Sequence, residues 1–414
     1  MASIDTPAPP AHSNRPPAHS GSGERNLLAR LWYDKKTRGV LLQILTVALL
    51  FAFLAYITSN AIANLELLGK TFSFDFLNEP AHYDINQTLI EYSSKSTHFR
   101  AGLVGMLNTL VVAVCGIILA TFLGFLLGVL RLSPNWLVSN MVYCYVEFVR
   151  NTPVLLQILL VHGLVVHALP KPREAQEWGN IADTIFFTNR GVFSPMPLPQ
   201  DGFNWVIAAF VIAIVGSIVF ARWAKKRQDA TGQHLPVFFI SLAAIIGLPL
   251  IAFLLAGSPL GWDFPALKGF NFRGGFVIRP EFLALWLALS LYTAAFIAEI
   301  VRAGILAIDK GQWEASLAVG MSRGRTLNLV IIPQAMRVIV PPLTSQYLNL
   351  TKNSSLAIAI GYMDIVATVG GITLMQTGKE METMIIVIGF YLTVSLSISA
   401  VMNWYNKRIK LVER

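Results

Sequence analysis

Charged residues are scarce in this chain of 414 residues: Asp, Glu, Lys and Arg make up 13% of it, whereas 54% is hydrophobic. A soluble domain needs a more strongly charged surface than this composition can supply. The mean hydropathy of +0.58 agrees with that view. The composition therefore excludes an ordinary soluble protein and predicts a polytopic membrane protein, in which each crossing helix uses about 20 apolar residues.

Cysteine is scarce as well. Cys115 and Cys144 both lie in apolar runs, where a thiol behaves as a small hydrophobic group, and two such residues support neither a disulfide framework nor a metal site. His162 and His167 are five positions apart, whereas metal ligands on one helix are better placed four apart. No nucleophile elbow of the Gly-x-Ser-x-Gly type is visible. We expect no catalytic, metal-binding or cofactor-binding residue in this chain.

One segment looks at first like a phosphate-binding loop. Gly69-Lys70-Thr71 matches the end of that motif, but Asn64 stands where its first glycine is required. The chain therefore has no ATP site by this criterion, and energy for any active process must come from a partner.

Basic residues outnumber acidic ones by 32 to 23, which gives a net charge of +9. In a soluble protein this excess would suggest nucleic-acid binding, but here the basic residues collect beside apolar spans, as is typical of cytoplasmic loops. Residues 1–38 are rich in Pro, Ser, His and Ala and predict a disordered cytoplasmic tail. The apolar run 40–57 is long for a signal peptide, which favours an uncleaved anchor.

Apolar runs predict seven clear spans, and charge adds an eighth. Basic clusters flank the first and last runs, so both termini are expected in the cytoplasm and the number of crossings must be even. The ambiguous segment 333–360, which Pro341-Pro342 interrupts, is therefore expected to contain another crossing. The sequence thus predicts an all-α integral membrane protein with about eight transmembrane helices. The seven clear runs are 40–63, 102–130, 137–168, 204–221, 236–256, 281–303 and 384–405.

A polar, glycine-bearing segment lies between two of these spans. It begins Glu314-Ala315-Ser316, has Gly320 six positions after the glutamate, and closes with Val330-Ile331-Ile332-Pro333. Gly320 can adopt the backbone angles that let one short helix turn into the next, and Pro333 favours a break or a new helix start. Trp313, Leu317 and Met321 have the spacing of one helix face. From the residues alone, this segment is either an ordered docking loop or an ordinary connector.

This segment resembles the EAA loop of the membrane subunits of ABC importers, which reads Glu-Ala-Ala, then Gly, then Ile-x-Leu-Pro. Ser316, Val330 and Ile332 are the departures from that pattern. The flanking segments 292–305, 333–342 and 352–356, together with 147–157, look like the polar amino-acid branch of the family (His/Glu/Gln/Arg/opine). Asn151 replaces a glycine of that branch. The match covers roughly 100–168 and 280–405. The chain's length and additional spans resemble the larger membrane subunit of general L-amino-acid uptake systems.

The resemblance implies a permease subunit that works by alternating access and is not itself an enzyme. The expected partners are ABC ATPase subunits that bind ATP-Mg, a second homologous permease subunit, a periplasmic amino-acid-binding protein and an L-amino acid substrate. The expected location is the bacterial inner membrane, crossed several times with both termini cytoplasmic. The residues implied to couple to the ATPase are Glu314, Ala315, Ser316, Gly320, Ile332 and Pro333.

The resemblance also suggests a division of the chain around a five-helix core of the type I importer kind. After the tail, 39–101 would hold the extra first transmembrane helix and an outer loop, and 102–168 would form the first part of the core. Residues 169–280 would hold an outer loop and an inserted helix pair. The second part of the core would be 281–406, containing the coupling loop 304–335, and 407–414 would be a cytoplasmic tail.

Charged residues within the spans leave two interpretations open. Glu299 and Arg302 are three positions apart on one helix face, and Glu147 and Arg150 repeat that spacing. Each pair is either an intrahelical ion pair at the inner interface or part of a functional site, because charges at membrane depth are costly. In the second interpretation, Glu299 lines the solute path. Its candidate partners there are Lys352, Asn353 and Asp364.

An ion-coupled secondary transporter is the alternative function. It would bind its solute at broken helices near the membrane midplane, and Pro341-Pro342 fits such a break. The Glu314–Pro333 loop and the lack of a visible internal repeat argue against it.

Overall fold

The computed structural model describes residues 35–67, 69 and 72–409. The chain divides into two compact units, Met1–Phe72 and Ser73–Arg414. Within the first unit, helix α1 spans Lys35–Leu67. The expected tail 1–38 falls mostly outside the described residues, but its last four positions already belong to α1.

The second unit is built mainly of helices. Three 3-10 segments, Asp75–Asn78, Glu174–Gln176 and Ser354–Ile360, and two π-helical segments, Leu327–Ile331 and Thr368–Thr373, connect or extend them. The α-helices are α2 (His98–Leu130), α3 (Trp136–Arg150), α4 (Val154–Ala168), α5 (Phe203–Thr231), α6 (Val237–Leu255), α7 (Pro280–Leu306), α8 (Lys310–Ala318), α9 (Arg323–Thr326), α10 (Ile332–Asn353), α11 (Ile365–Ala367), α12 (Leu374–Thr377) and α13 (Glu380–Ile409). Of the expected tail 407–414, the first three positions lie in α13 and the rest lie outside the described residues.

The number of candidate membrane crossings agrees with the sequence. Among the described residues, 7 helices are long and apolar enough to cross a membrane, or up to 8 if α3 and α4 count as one bent span. The segment 333–360 lies within one of the candidates, Arg323–Ile360. The prediction of about eight transmembrane helices is therefore confirmed.

The run 137–168 was expected to be one span, but it forms two helices bent by 109°. The bend falls between Arg150 and Val154. Pro153 explains it, because proline has no N–H to donate and disfavours the helical conformation of the residue before it.

The expected interruption at Pro341-Pro342 is wrong. Both prolines lie inside α10, and the helix continues past them to Asn353. Helices in membrane proteins tolerate proline where local adjustments and neighbouring groups satisfy the freed backbone. The chain departs from α-helix later, in the 3-10 segment Ser354–Ile360, which ends at Gly361 with a φ of +78°.

Helix α7 forms the centre of the second unit. Leu285, Leu289 and Ile297 on α7 are completely buried, and their neighbours come from α2, α4 and α10. Two glycines let α2 approach α7 closely: a Cβ added at Gly124 would lie 2.5 Å from Ile297 Cβ, and one at Gly128 would lie 2.6 Å from Val301 Cβ. Small residues at such contacts are how membrane helices gain packing without a hydrophobic driving force.

The segments on either side of the α5–α6 hairpin contain strands that the sequence analysis did not predict. They form a four-stranded antiparallel sheet in the order β1-β2-β3-β8 and the two-stranded pairs β4-β5 and β6-β7. Phe186, Phe193 and Phe272 form a small buried core among these strands. We call this core and the strands around it the outer module, after the outer loop that the sequence predicts in this region. The strands are β1 (Asn180–Ile181), β2 (Ile185–Thr188), β3 (Gly191–Ser194), β4 (Met196–Pro199), β5 (Leu260–Asp263), β6 (Ala266–Lys268), β7 (Asn271–Arg273) and β8 (Phe276–Ile278).

Candidate functional site

The Glu314 loop is an ordered pair of short helices. Asp309 caps the start of α8, and its side chain accepts a hydrogen bond from the Gly311 backbone N–H at 2.6 Å. It ends in a turn around Gly320, which has a φ of +81°. The Gly320 N–H donates to the Leu317 carbonyl at 3.0 Å, and the Met321 N–H donates to the Ser316 carbonyl at 3.2 Å. This pair of bonds defines a Schellman motif, which requires a left-handed residue after the helix.

Only part of the expected apolar face exists. Helix α8 ends at Ala318, so Met321 lies beyond the turn and not on the same helix. Trp313 packs against the core, whereas the Leu317 side chain is 42% exposed. The sequence spacing failed here because the left-handed glycine breaks the helical period after two turns.

Contacts within the loop and to α10 hold α8 in place. Ser316 is buried, and its hydroxyl donates to the Gln312 carbonyl at 2.6 Å. The Gln334 side-chain amide on α10 donates to the Gln312 side-chain oxygen at 3.2 Å. Ile331, just before α10, is fully buried. The loop is therefore an ordered extension of the helical core.

The six loop residues that the resemblance singled out occupy three places. Glu314 and Ala315 are exposed on α8, beside the buried Ser316, and Gly320 forms the turn. Ile332 and Pro333 are the first residues of α10, but the helix reaches them without a break from the π-helical segment Leu327–Ile331, and the Ile332 N–H donates to the Leu327 carbonyl. The break or new helix start expected at Pro333 is therefore wrong, because the helix accommodates the missing N–H of this proline where it widens locally into a π-helix. Exposed apolar side chains accompany them, since Val319 is 76% exposed and Leu329 67%.

A cluster of ion pairs joins the ends of α2, α3 and α7. Glu299 accepts hydrogen bonds from Arg131 and from Arg302, the latter with Nη2 to Oε1 at 2.6 Å. Glu147 lies 3.9 Å from the Arg150 guanidinium and 4.0 Å from that of Arg131. Both pairs expected from sequence spacing therefore form within their helices, and Arg131 links them. Sequence spacing does not reveal the role of Arg131, because its partner Glu299 is distant in sequence; its isolated charge after an apolar run is the available signal.

Asp364 lies elsewhere in the fold and is completely buried. Its Oδ1 accepts from the Ala367 N–H at 2.9 Å, and the Tyr391 hydroxyl donates to its Oδ2 at 3.4 Å. It belongs to the stretch between the last two candidate spans. Because burial removes water from the carboxyl group, the pKa of Asp364 is raised to about 7.

The structure does not bring Glu299 and Asp364 together. Asp364 packs beside Gly105, near the start of α2, whereas Glu299 pairs with Arg131 just after its end. At 1.5 Å per residue these two positions on α2 are roughly 40 Å apart. The two carboxylates therefore do not contact the same small solute at once.

Lys352 and Asn353 lie at the end of α10, between these two extremes. Leu350, which precedes Lys352 by less than one helical turn, packs on Gly116 near the middle of α2. In the described part of the chain, the Lys352 side chain is exposed and that of Asn353 is half-buried. Because a lysine at this depth is costly in lipid, its ammonium group needs water or a protein partner.

Comparison with known proteins identifies the family. Residues 230–411 match the family described as "Binding-protein-dependent transport system inner membrane component". The "General L-amino acid transport system permease protein AapQ" of Rhizobium johnstonii is 49% identical over 382 residues, which cover 92% of this chain and 94% of that protein. The "Glutamate/glutamine/aspartate/asparagine transport system permease protein BztB" of Rhodobacter capsulatus is 47% identical, covering 94% of this chain and 97% of that protein.

A solved structure described as "Crystal structure of an amino acid ABC transporter with histidines" matches 75% of this chain and 95% of its own, at 19% identity and a TM-score of 0.44. The near full-length relatives confirm the family that the sequence resembled and favour an importer permease over a secondary transporter. This chain belongs to the inner membrane components of binding-protein-dependent transport systems and is a permease subunit of an ABC importer.

Proposed function

We propose that this permease imports polar L-amino acids across the bacterial inner membrane by alternating access. A periplasmic binding protein delivers the solute, a second homologous permease subunit completes the pathway, and ABC ATPase subunits hydrolyse ATP-Mg. The substrate class rests on the two near full-length relatives, both of which are named as amino-acid transport permeases. With both termini in the cytoplasm, the Glu314 loop faces the same compartment as the ATPases.

The observation that carries the coupling role is the combination of exposure and anchoring in the Glu314 loop. Glu314 and Val319 are exposed to a partner, while Trp313 and Ser316 are fixed to the chain's own core. A partner that moves α8 therefore also moves α10, because the Gln334 side chain of α10 is hydrogen-bonded to α8. Docking of the ATPase on this loop transmits its closure to the helices that line the pathway.

The division of the chain follows from the same proposal. The core consists of 102–168 and 281–406, with the coupling loop at 304–335, whereas α1 and the α5–α6 pair are additions. Within the core, Lys352 and Asn353 contact the solute in the middle of the pathway, and Asp364 and Glu299 lie towards its two ends. A zwitterionic solute needs a cation for its carboxylate and an acceptor for its ammonium group, and Lys352 with Asn353 supplies both.

The test is reconstitution of the complete transporter in proteoliposomes with its ATPase, its second permease subunit and its binding protein. Binding protein loaded with a polar amino acid is expected to stimulate ATP hydrolysis, and Glu314→Arg is expected to abolish that stimulation by placing a cation where the partner meets a carboxylate. Glu177→Arg makes the same charge change on an exposed residue outside the loop and should have no effect. Full stimulation with Glu314→Arg would reject the coupling role.

A further inference from the structure

A basic cleft lies in the outer module, at the opposite end of α7 from the Glu314 loop. It has a volume of about 330 Å³ and forms where three segments meet: the turn after α4, the tip of the β2–β3 hairpin and the tip of the β6–β7 hairpin. Lys171, Arg173 and Glu174 come from the turn, Asn189 and Arg190 from the first tip, and Phe270 from the second. Small-molecule sites commonly begin at roughly 300 Å³.

Hydrogen bonds hold the three segments in this arrangement. The Asn189 N–H donates to the Pro170 carbonyl at 2.9 Å, which fastens the first hairpin to the turn. Arg190 donates from Nη1 to the Phe270 carbonyl at 3.0 Å, which fastens it to the second hairpin. Beneath them, the rings of Phe186 and Phe272 stack with their centroids 4.3 Å apart. The cleft is therefore built on a rigid base, which reduces the entropy lost when a ligand binds.

The charge in the cleft favours an anion. Lys171, Arg173 and Arg190 carry positive charge, and Glu174 is the acidic residue among the lining side chains. Glu174 Oε2 already accepts a hydrogen bond from the Lys171 backbone N–H at 3.2 Å. The Arg173 guanidinium lies 5.0 Å from the centre of the Phe270 ring, which orients it. Guanidinium groups held in this way bind carboxylates through paired N–H donors.

A polar atom without a partner adds a second requirement. Asn189 Oδ1 is buried and accepts no hydrogen bond within the described part of the chain, although its residue lines the cleft. Leaving a buried acceptor unsatisfied costs free energy, so the partly exposed Asn189 side chain gains when its amide turns into the cleft and pairs with a ligand that brings an N–H or O–H donor. The suitable ligand is thus an anion that also carries a donor.

We propose that this cleft binds a free acidic amino acid at a site separate from the translocation pathway. Its carboxylates pair with Arg173, Arg190 and Lys171, its ammonium group donates to Asn189 Oδ1, and its aliphatic stem lies against Phe270. The inference stands on the chemistry of the cleft and does not depend on the proposed transport function.

The experiment is isothermal titration calorimetry on the purified permease complex in nanodiscs, without binding protein. The probes are L-glutamate, inorganic phosphate and glutarate, the last of which lacks the ammonium group.

Arg173→Gln should weaken L-glutamate binding at least tenfold, because the guanidinium contact is lost. Asn189→Leu should remove the preference for L-glutamate over glutarate. Arg273→Gln changes an exposed arginine of the same module that does not line the cleft and should bind as the wild type does. Melting curves of each variant check that the module is folded.

The Lys352→Ala variant distinguishes L-glutamate binding in the cleft from binding in the translocation pathway. L-glutamate binding that persists in Lys352→Ala but disappears in Arg173→Gln supports the cleft, even if transport itself proves to work differently. Binding that disappears in Lys352→Ala, or an affinity unchanged in both Arg173→Gln and Asn189→Leu, overturns the proposal. Equal affinity for phosphate and L-glutamate also overturns it, since the cleft would then attract any anion. A titration of the wild type with L-glutamate that produces no binding heat overturns the proposal as well.

Discussion

The backbone N–H of Met321 donates to the carbonyl oxygen of Ser316 at 3.2 Å, across the turn that Gly320 makes at the end of α8. This bond fixes the direction in which the chain leaves α8. It forms only because the intervening glycine adopts a φ of +81°, a conformation that residues with a side chain rarely adopt.

Gly320→Val should therefore uncouple ATP hydrolysis from transport while the protein still inserts into the membrane. A Cβ at position 320 meets nothing within 4 Å, so the penalty is one of backbone conformation, about 1–2 kcal/mol or more for a β-branched residue. We expect the rate of ATP-driven amino-acid uptake into proteoliposomes to fall at least tenfold. Gly324→Val is the matched control, because Gly324 also has open space but lies within α9 without a positive φ. Transport at the full rate by Gly320→Val would refute a rigid coupling turn.

Glu299→Gln should destabilise the protein more than Glu147→Gln does. Glu299 makes close hydrogen bonds to Arg131 and Arg302, whereas the ion pairs of Glu147 are 3.9 and 4.0 Å long. Removing the Glu299 charge leaves two guanidinium groups facing each other, with a loss on the order of 1–3 kcal/mol for hydrogen bonds to charged groups. Thermal melting of the purified complex measures the difference. An unchanged melting temperature would contradict this prediction, and together with an altered solute profile it would show that Glu299 acts on the solute and not on stability.

The sequence predicted what short-range physics and repeated patterns control. Apolar length predicted the spans, and Gly320 predicted a turn where the structure has one, whereas the helix continues through Pro333 without the expected start. Contacts between distant segments were not accessible in this way. Arg131 and Glu299 are 168 positions apart, and β3 pairs with β8 across the whole α5–α6 hairpin. The prolines of α10 predicted a break that does not form, because the packing of neighbouring helices, which one sequence does not show, decides whether a helix tolerates them.

Lys352→Met should weaken solute handling without weakening the fold. The Lys352 side chain is exposed at the end of α10, so its truncation removes a charge and leaves the buried packing of Leu350 and Thr351 in place. We expect the KM for amino-acid uptake to rise severalfold and the melting temperature to stay within error. Lys268→Met, in β6 of the outer module, is the control for loss of one positive charge. Uptake by Lys352→Met that matches the wild type would remove Lys352 from the pathway.

Asp364→Asn should remove a pH dependence of stability. The pKa of Asp364 is about 7 in the folded protein against 3.8 for the ordinary group, because burial disfavours the charged carboxylate. The folded state therefore holds this proton more tightly than the unfolded state, so the Asp364 contribution to stability is greatest below pH 3.8 and declines as the pH rises towards 7. We expect the wild type, relative to Asp364→Asn, to lose melting temperature between about pH 4 and pH 7 and to change little above that. Asparagine keeps the acceptor for the Ala367 N–H, so the helix cap itself survives.

Asp309→Asn, which changes the exposed cap of α8, should leave the wild-type pH dependence intact. Parallel curves for the wild type and Asp364→Asn would show that the buried carboxyl group does not titrate in this range.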